Sequence, residues 1–352
     1  MPADNNILEL LDEQSSKASK RARRALILQG GAIGDCILTL PLACYIKESL
    51  DLGAVDFFGR TDYIGIFPGR TCVDSVRSLD SIELHRLFAN SSDFELSGRD
   101  CLAEVFCDYS CIISFLGHSG SDFEKNLIYT VNSSRSAEVV TLPLKPDDTL
   151  NRHITQFYIS RFSSQCSAKL TSVEINSYQA LIKPLCSDTN IGRELLLSAG
   201  FKTQEDIIVI GPGSGGINKC WNLANFISIA KQLKLYGFNV LFLLGPAEME
   251  RFKPQELAAM KETCLCLTDL SLQQVLAVLS CSDVFIGNDS GITHLAAALG
   301  IKTFALFGPT NPIVYRPLGP DVTVFEFGSQ GFAERPCESQ QLEVLEALTQ
   351  SR

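Results

Sequence analysis

Apolar and polar positions along this chain repeat in one order: a short β-branched or apolar run, a glycine-rich or polar turn, then a longer stretch with apolar residues at helical spacing. In the N-terminal half the pattern predicts strands over 25–28, 55–58, 110–116 and 137–142, with helices over 36–50 and 151–162. A polar, proline-marked break over 184–190 separates this half from a helix at 191–198. Strands near Ile207, Val240, Cys264, Val284 and Thr303 follow, alternating with helices, and a last helix covers 335–348. Alternation of this kind builds parallel, doubly wound sheets. The fold class expected is therefore α/β, with two Rossmann-like domains facing a cleft. Their limits are a tail over 1–24 with a short helix at 4–14, domains over 25–185 and 186–334, and a closing helix over 335–352.

Three strand-to-helix turns carry the candidate chemistry. Residues 284–310 read VFIGNDSGITHLAAALGIKTFALFGPT. Asn288, Asp289 and Ser290 supply capping side chains, an Ala-rich helix follows over 293–299, and Gly300 can end it. Gly291 lets a ligand approach backbone N–H groups that the helix dipole makes attractive to an anion; by itself the stretch also suits an ordinary capped turn. From Ile207 the chain reads IIVIGPGSGGINKCWNLANF, a strand running into four glycines and Lys219 before Asn222 caps a helix. The strand at 239–244 ends in GPAE, which puts Glu248 beyond a strand's carboxyl end, where open α/β sheets bind ligands. Near the N-terminus, GGAIGD follows the first strand; Asp35, its only acid, reads either as the N-cap of a helix from Cys36 or as a reactive carboxylate.

Composition narrows the field. At 352 residues with 45% hydrophobic content there is material for two cores. A net charge of −10 disfavours a nucleic-acid groove, whereas a small anion needs only a local positive site. Thirteen cysteines, without a C-x-x-C pair and with one C-x-C at Cys264 and Cys266, read as reduced thiols rather than a zinc site. No apolar run is long enough to span a membrane. The basic residues Lys17, Lys20, Arg21, Arg23 and Arg24 imitate a signal peptide, but Gln29, two glycines and Asp35 interrupt the apolar stretch behind them, which favours the cytoplasm. That basic cluster is a solvated flank or a contact for anionic lipid headgroups.

Taken together, ALILQGGAIGDCILTLP, GPGSGGINKCWNLANF, FLLGPAE, IGNDSGITHLAAALG and FGPTNP resemble glycosyltransferase family 9, the ADP-heptose:lipopolysaccharide heptosyltransferases, in order and spacing. The resemblance implies the two-Rossmann GT-B architecture and inverting, metal-independent transfer of a sugar, heptose by family habit. The donor would be an ADP-sugar and the acceptor a hydroxyl of a lipopolysaccharide-core-like glycolipid at the inner face of the cytoplasmic membrane. It assigns Ser214, Gly215 and Lys219 to the donor diphosphate, Glu248 to the ribose hydroxyls and Leu270 to the wall against the base. Asp289, Ser290, Gly291 and His294 match its D-[ST]-G-x-x-H element at the sugar and phosphates, and Asp35 matches its proposed base. No cofactor beyond the nucleotide sugar is implied. No D-x-D stands at a strand end to hold a metal; Asp147 and Asp148 are adjacent. The region 52–183 carries no family motif, and Arg60, His118 and Arg316 are only polar groups near expected loops.

Three other readings compete. Gly211, Gly213 and Gly216 formally satisfy the dinucleotide G-x-G-x-x-G, but Lys219, Cys220 and Trp221 intervene before the helix, and no acid follows about twenty residues on to take a ribose. A sugar-nucleotide epimerase would share fold and donor site while needing two acid/base groups at the sugar. A non-catalytic nucleotide-sugar-binding protein would keep the pocket without needing Asp35 and Lys219 together.

Overall fold

The computed structural model describes residues 23–134, 136–173, 179–201 and 206–350. The helix expected over 4–14, and Lys17, Lys20 and Arg21, lie outside the described residues. The chain divides into two compact units. One takes the described residues of Met1–Gly31, Thr39–Asp148 and Thr155–Ile175, and the other those of Ala32–Leu38, Thr149–Ile154 and Asn176–Arg352.

The first unit is built on β1 (Arg24–Leu28), β2 (Ala54–Gly59), β3 (Ser75–Ser78), β4 (Tyr109–Ser114) and β5 (Glu138–Thr141), in the order β3-β2-β1-β4-β5 with every pair parallel. Parallel strands covered on both faces read as continuous apolar runs; β1 and β2 are buried along almost their whole length. β3 was absent from the expected elements because Ser-Val-Arg-Ser is an edge strand, half exposed, with no apolar run to betray it. Arg24 grips Asp56 across β1 and β2 through two nitrogens, and Tyr109 and Ser75 donate to the same buried carboxylate.

Helix α1 (Ile33–Ser49) starts before the expected Cys36. The reading of Asp35 as an N-cap is corrected: it sits at the third helical position, and its Oδ2 accepts from Ala32 N–H at 3.1 Å, the reciprocal arm of a capping box. Helix α2 (Ile154–Gln165) matches the stretch expected over 151–162. Helix α3 (Cys186–Ser198) begins inside the stretch read as a domain break. Its polar residues form the helix start, with the buried Asp188 carboxylate accepting from Leu185 N–H at 2.8 Å.

The second sheet comprises β6 (Ile207–Gly211), β7 (Asn239–Leu243), β8 (Leu265–Leu267), β9 (Val284–Asn288), β10 (Lys302–Phe307) and β11 (Val322–Glu326). Its order is β11-β10-β9-β6-β7-β8, all parallel. Only β11, another edge strand, was missing from the expectation. Helices α4 (Leu223–Leu235), α5 (Pro246–Arg251), α6 (Leu272–Leu279), α7 (Gly291–Ala298) and α8 (Glu338–Thr349) belong to this unit. Ile210, Trp221, Phe226, Phe242, Ile286 and Phe304 lie in its core. The strand order reverses between β6 and β9, which makes the space beyond their carboxyl ends the topological switch point where such sheets bind ligands.

Candidate functional site

Two of the three turns singled out by sequence leave those neighbouring strand ends. Asn288, the last residue of β9 and fully buried, accepts from Trp221 N–H through Oδ1 and donates from Nδ2 to Pro212 O, each at 2.8 Å. Ser214 Oγ donates to Asp289 O at 2.6 Å. Lys219 Nζ donates to Asp289 Oδ2 at 2.8 Å. The Gly loop after β6 and the turn after β9 are thus one cross-linked body. Trp221 anchors the loop's far end, with its ring edge-on to Phe226 at 5.2 Å and its Nε1–H bonded to Gln340 at 2.7 Å.

The expected capping is only partly as read. Ser290 is the N-cap of α7 and accepts from Thr293 N–H, which leaves Gly291 and Ile292 N–H among the orphan donors of a helix start. Asn288 and Asp289 cap nothing; they bind the Gly loop. Asn222 caps α4 as its sequence suggests. That helix begins well past Gly216, after a 3₁₀ turn over Ile217–Lys219, so the glycines do not open a helix as the dinucleotide fingerprint requires.

Burial alone would raise the Asp289 carboxyl, but the His294 ring and the Lys219 ammonium outweigh it and hold it down at about 2. His294 is buried on α7 with Nε2 3.6 Å from Asp289 Oδ1, an ion-pair distance beyond hydrogen-bond range, and its Nδ1 has no protein partner among the described residues. A buried ring nitrogen left unmatched is costly and suits a site that a ligand completes. Nearby His153 is pushed down to about 4 by burial, with the His294 ring adding to the effect. Its Nε2 meets Arg316 O at 2.9 Å and must be the donor, since a carbonyl only accepts.

Helix α5 delivers two more groups. Glu248 stands at its third position, with Oε2 accepting from Gly245 N–H at 2.8 Å. Its other oxygen lies against Gly213, where a Cβ would come within 1.6 Å, so a side chain there would displace the Glu248 carboxylate. Three residues on, Arg251 Nη1 donates to Ser214 O at 2.9 Å and Nη2 to Gly215 O at 3.4 Å. Gly215 is exposed and a Cβ there would meet no protein atom within 4 Å.

The structure therefore gathers Ser214, Gly215, Lys219, Glu248, Asp289, Ser290 and His294 at the carboxyl ends of β6, β7 and β9. Gly291 opens α7 in the same turn, and the segment Ala32–Leu38 of the same unit, which carries Asp35, packs against it: a Cβ on Gly34 would lie 3.1 Å from His294 Cδ2, and one on Gly291 2.7 Å from Ile33 Cβ. Leu270 is half-buried between β8 and α6, two strands from β6. Sequence reasoning missed Arg251 and His153, and gave Asn288 a capping role where it binds the Gly loop. Only Arg251 had a signal, a cation one helical turn past Glu248. No group of three His, Cys, Asp or Glu among the described residues is arranged to hold a metal, and the thirteen cysteines are free thiols.

Comparison with known proteins sets this site in a family. The model of glycosyltransferase family 9 (heptosyltransferase) matches residues 163–343, just over half of the chain, a span that includes every site residue named above except Asp35 and its turn and His153. Lipopolysaccharide heptosyltransferase 1 of Pseudomonas aeruginosa is 35% identical over 137 residues, 38% of either chain. The matched segments span about 40% of the length of the curated relatives. Among solved structures, a family 9 glycosyl transferase from Veillonella parvula aligns with TM-score 0.70 at 17% identity, over 94% of this chain and 98% of its own. A heptosyltransferase of Escherichia coli with ADP aligns at 0.61 and 16% identity, over 92% and 99%. At such identities the structural likeness speaks for the fold. Together with the match across the second unit, it means that this chain belongs to glycosyltransferase family 9.

Proposed function

We propose that the protein is an inverting, metal-independent glycosyltransferase that moves heptose from an ADP-sugar to a hydroxyl of a lipopolysaccharide-core-like glycolipid. The observation that carries the reading is the Lys219–Asp289 pair beside the Gly loop at the β6/β9 switch point. One ammonium there can neutralise the charge that grows on a departing diphosphate, and the start of α7 adds its dipole. Glu248 takes the ribose hydroxyls with its two acceptor oxygens, Leu270 borders the base, and Asp289 and His294 face the sugar.

In the reaction the acceptor oxygen forms a bond to the anomeric carbon as the bond to the diphosphate oxygen breaks from the opposite face. Asp35 takes the acceptor proton and ADP leaves with the electron pair. A single base suffices because no covalent intermediate forms. An acceptor of this chemistry places the enzyme on the cytoplasmic face of the inner membrane as a peripheral protein; among the described residues no helix is long and apolar enough to cross a membrane.

The test is calorimetric titration with ADP, UDP, GDP and NAD, repeated on Glu248→Ala and Asp35→Ala. ADP should bind in preference, Glu248→Ala should weaken it, and Asp35→Ala should keep ADP affinity while losing transfer from ADP-heptose. Preference for NAD, or turnover surviving in Asp35→Ala, would overturn the donor or the base assignment respectively.

A further inference from the structure

We infer that Arg251 is the positioning residue of the Gly loop, aiming two backbone N–H groups at the donor's phosphates. The inference rests on the donor-site reading above. Arg251 touches neither of these groups itself; its guanidinium forks to two successive carbonyl oxygens, Nη1 to Ser214 O at 2.9 Å and Nη2 to Gly215 O at 3.4 Å, and Nη1 also reaches Cys220 Sγ at 3.3 Å. All peptide bonds in this segment are trans. In a trans peptide the C=O and the following N–H point in opposite directions within one plane. Fixing Ser214 O therefore fixes Gly215 N–H, and fixing Gly215 O fixes Gly216 N–H, both turned away from the guanidinium.

Those two donors have no acceptor among the described residues. The position a Gly215 side chain would occupy is open for 4 Å, so an anion can approach the backbone there. Consecutive N–H groups held on one side of a loop form an anion-binding concavity. Gly215 admits the ligand, whereas a Cβ on Gly216 would meet Asn218 Oδ1 at 2.9 Å; two successive glycines leave the loop conformationally free, and this freedom is what an external clamp must remove. Lysine cannot replace the clamp. It is a single point donor on a flexible stem, whereas Arg presents a planar fork matched to two carbonyls at once. The spacing Glu-x-x-Arg on α5 thus gives one short helix two duties: Glu248 for the ribose and Arg251 for the loop that takes the phosphates.

The experiment compares wild type, Arg251→Lys and Arg251→Gln, each checked for an unchanged unfolding midpoint, in binding of ADP and of adenosine and in transfer kinetics. Losing the direction of two charge-assisted donors should weaken ADP by about tenfold or more in both variants, the worth of about one such hydrogen bond, and raise the donor KM. Adenosine affinity should stay unchanged, because it has no phosphate for the loop to hold. A purely structural role would weaken both ligands alike and lower the unfolding midpoint. Wild-type ADP affinity in Arg251→Lys, or equal losses for ADP and adenosine, overturns the positioning role alone; failure of the wild type to bind ADP overturns the donor-site reading and this inference with it.

Discussion

Replacing Lys219 by Met tests the centre of the site, because it removes a cation 2.8 Å from a carboxylate that is only 7% exposed. The Asp289 carboxyl stands at about 2 instead of its usual 3.8. At about 1.4 kcal/mol per tenfold change, that depression corresponds to about 2 kcal/mol of stability, held by His294 and Lys219 together against the cost of burial. Without Lys219 the His294 contact at 3.6 Å remains alone, and Lys219→Met should destabilise the second unit by about 1–2 kcal/mol at pH 7, or about 2–8 °C in unfolding midpoint. The sign with pH follows from a depressed acid: the contribution is complete above about pH 4 and disappears as pH falls through about 2. The deficit of the variant should therefore shrink over that acid range. Urea unfolding followed by the fluorescence of Trp221, the single tryptophan and a core residue of this unit, reads the effect. A double-mutant cycle with Asp289→Asn isolates the pair. A coupling energy near zero, or a deficit that stays the same from pH 7 to pH 2, would refute the argument.

Two further outcomes follow from packing and burial. Gly192→Ala should destabilise by about 1–3 kcal/mol, because its Cβ would lie 2.0 Å from Ala277 O where α3 crosses α6; helix propensity alone predicts a gain of about 1 kcal/mol, so urea unfolding decides between them. His153 is held at about 4, so its neutral form stabilises the fold above the usual 6.5 and that contribution is lost as pH falls toward 4; His153→Gln should flatten the stability profile over this interval, and an unchanged profile would sink the assignment.

The sequence by itself determined what neighbouring residues decide. Apolar runs and helical spacing marked nine of the eleven strands among the described residues, and Ser290 and Asn222 were legible as caps because a cap bonds within its own turn. The resemblance of the turns carried the family. Tertiary structure decided the edge strand β3, whose Ser-Val-Arg-Ser shows no apolar run; β11, Val-Thr-Val-Phe-Glu, does carry an alternating apolar pattern, which the sequence reading missed. Tertiary structure also moved Asp35 from the cap to the third helical position, a distinction set by where the backbone turns helical. Above all it paired Lys219 with Asp289, 70 residues on, joined Asn288 to Trp221 across 67, and brought Arg251 to Ser214 across 37. Those partners meet because β6, β7 and β9 lie side by side with their carboxyl ends together. Strand order is a global property of the sheet, and no local pattern of residues encodes it.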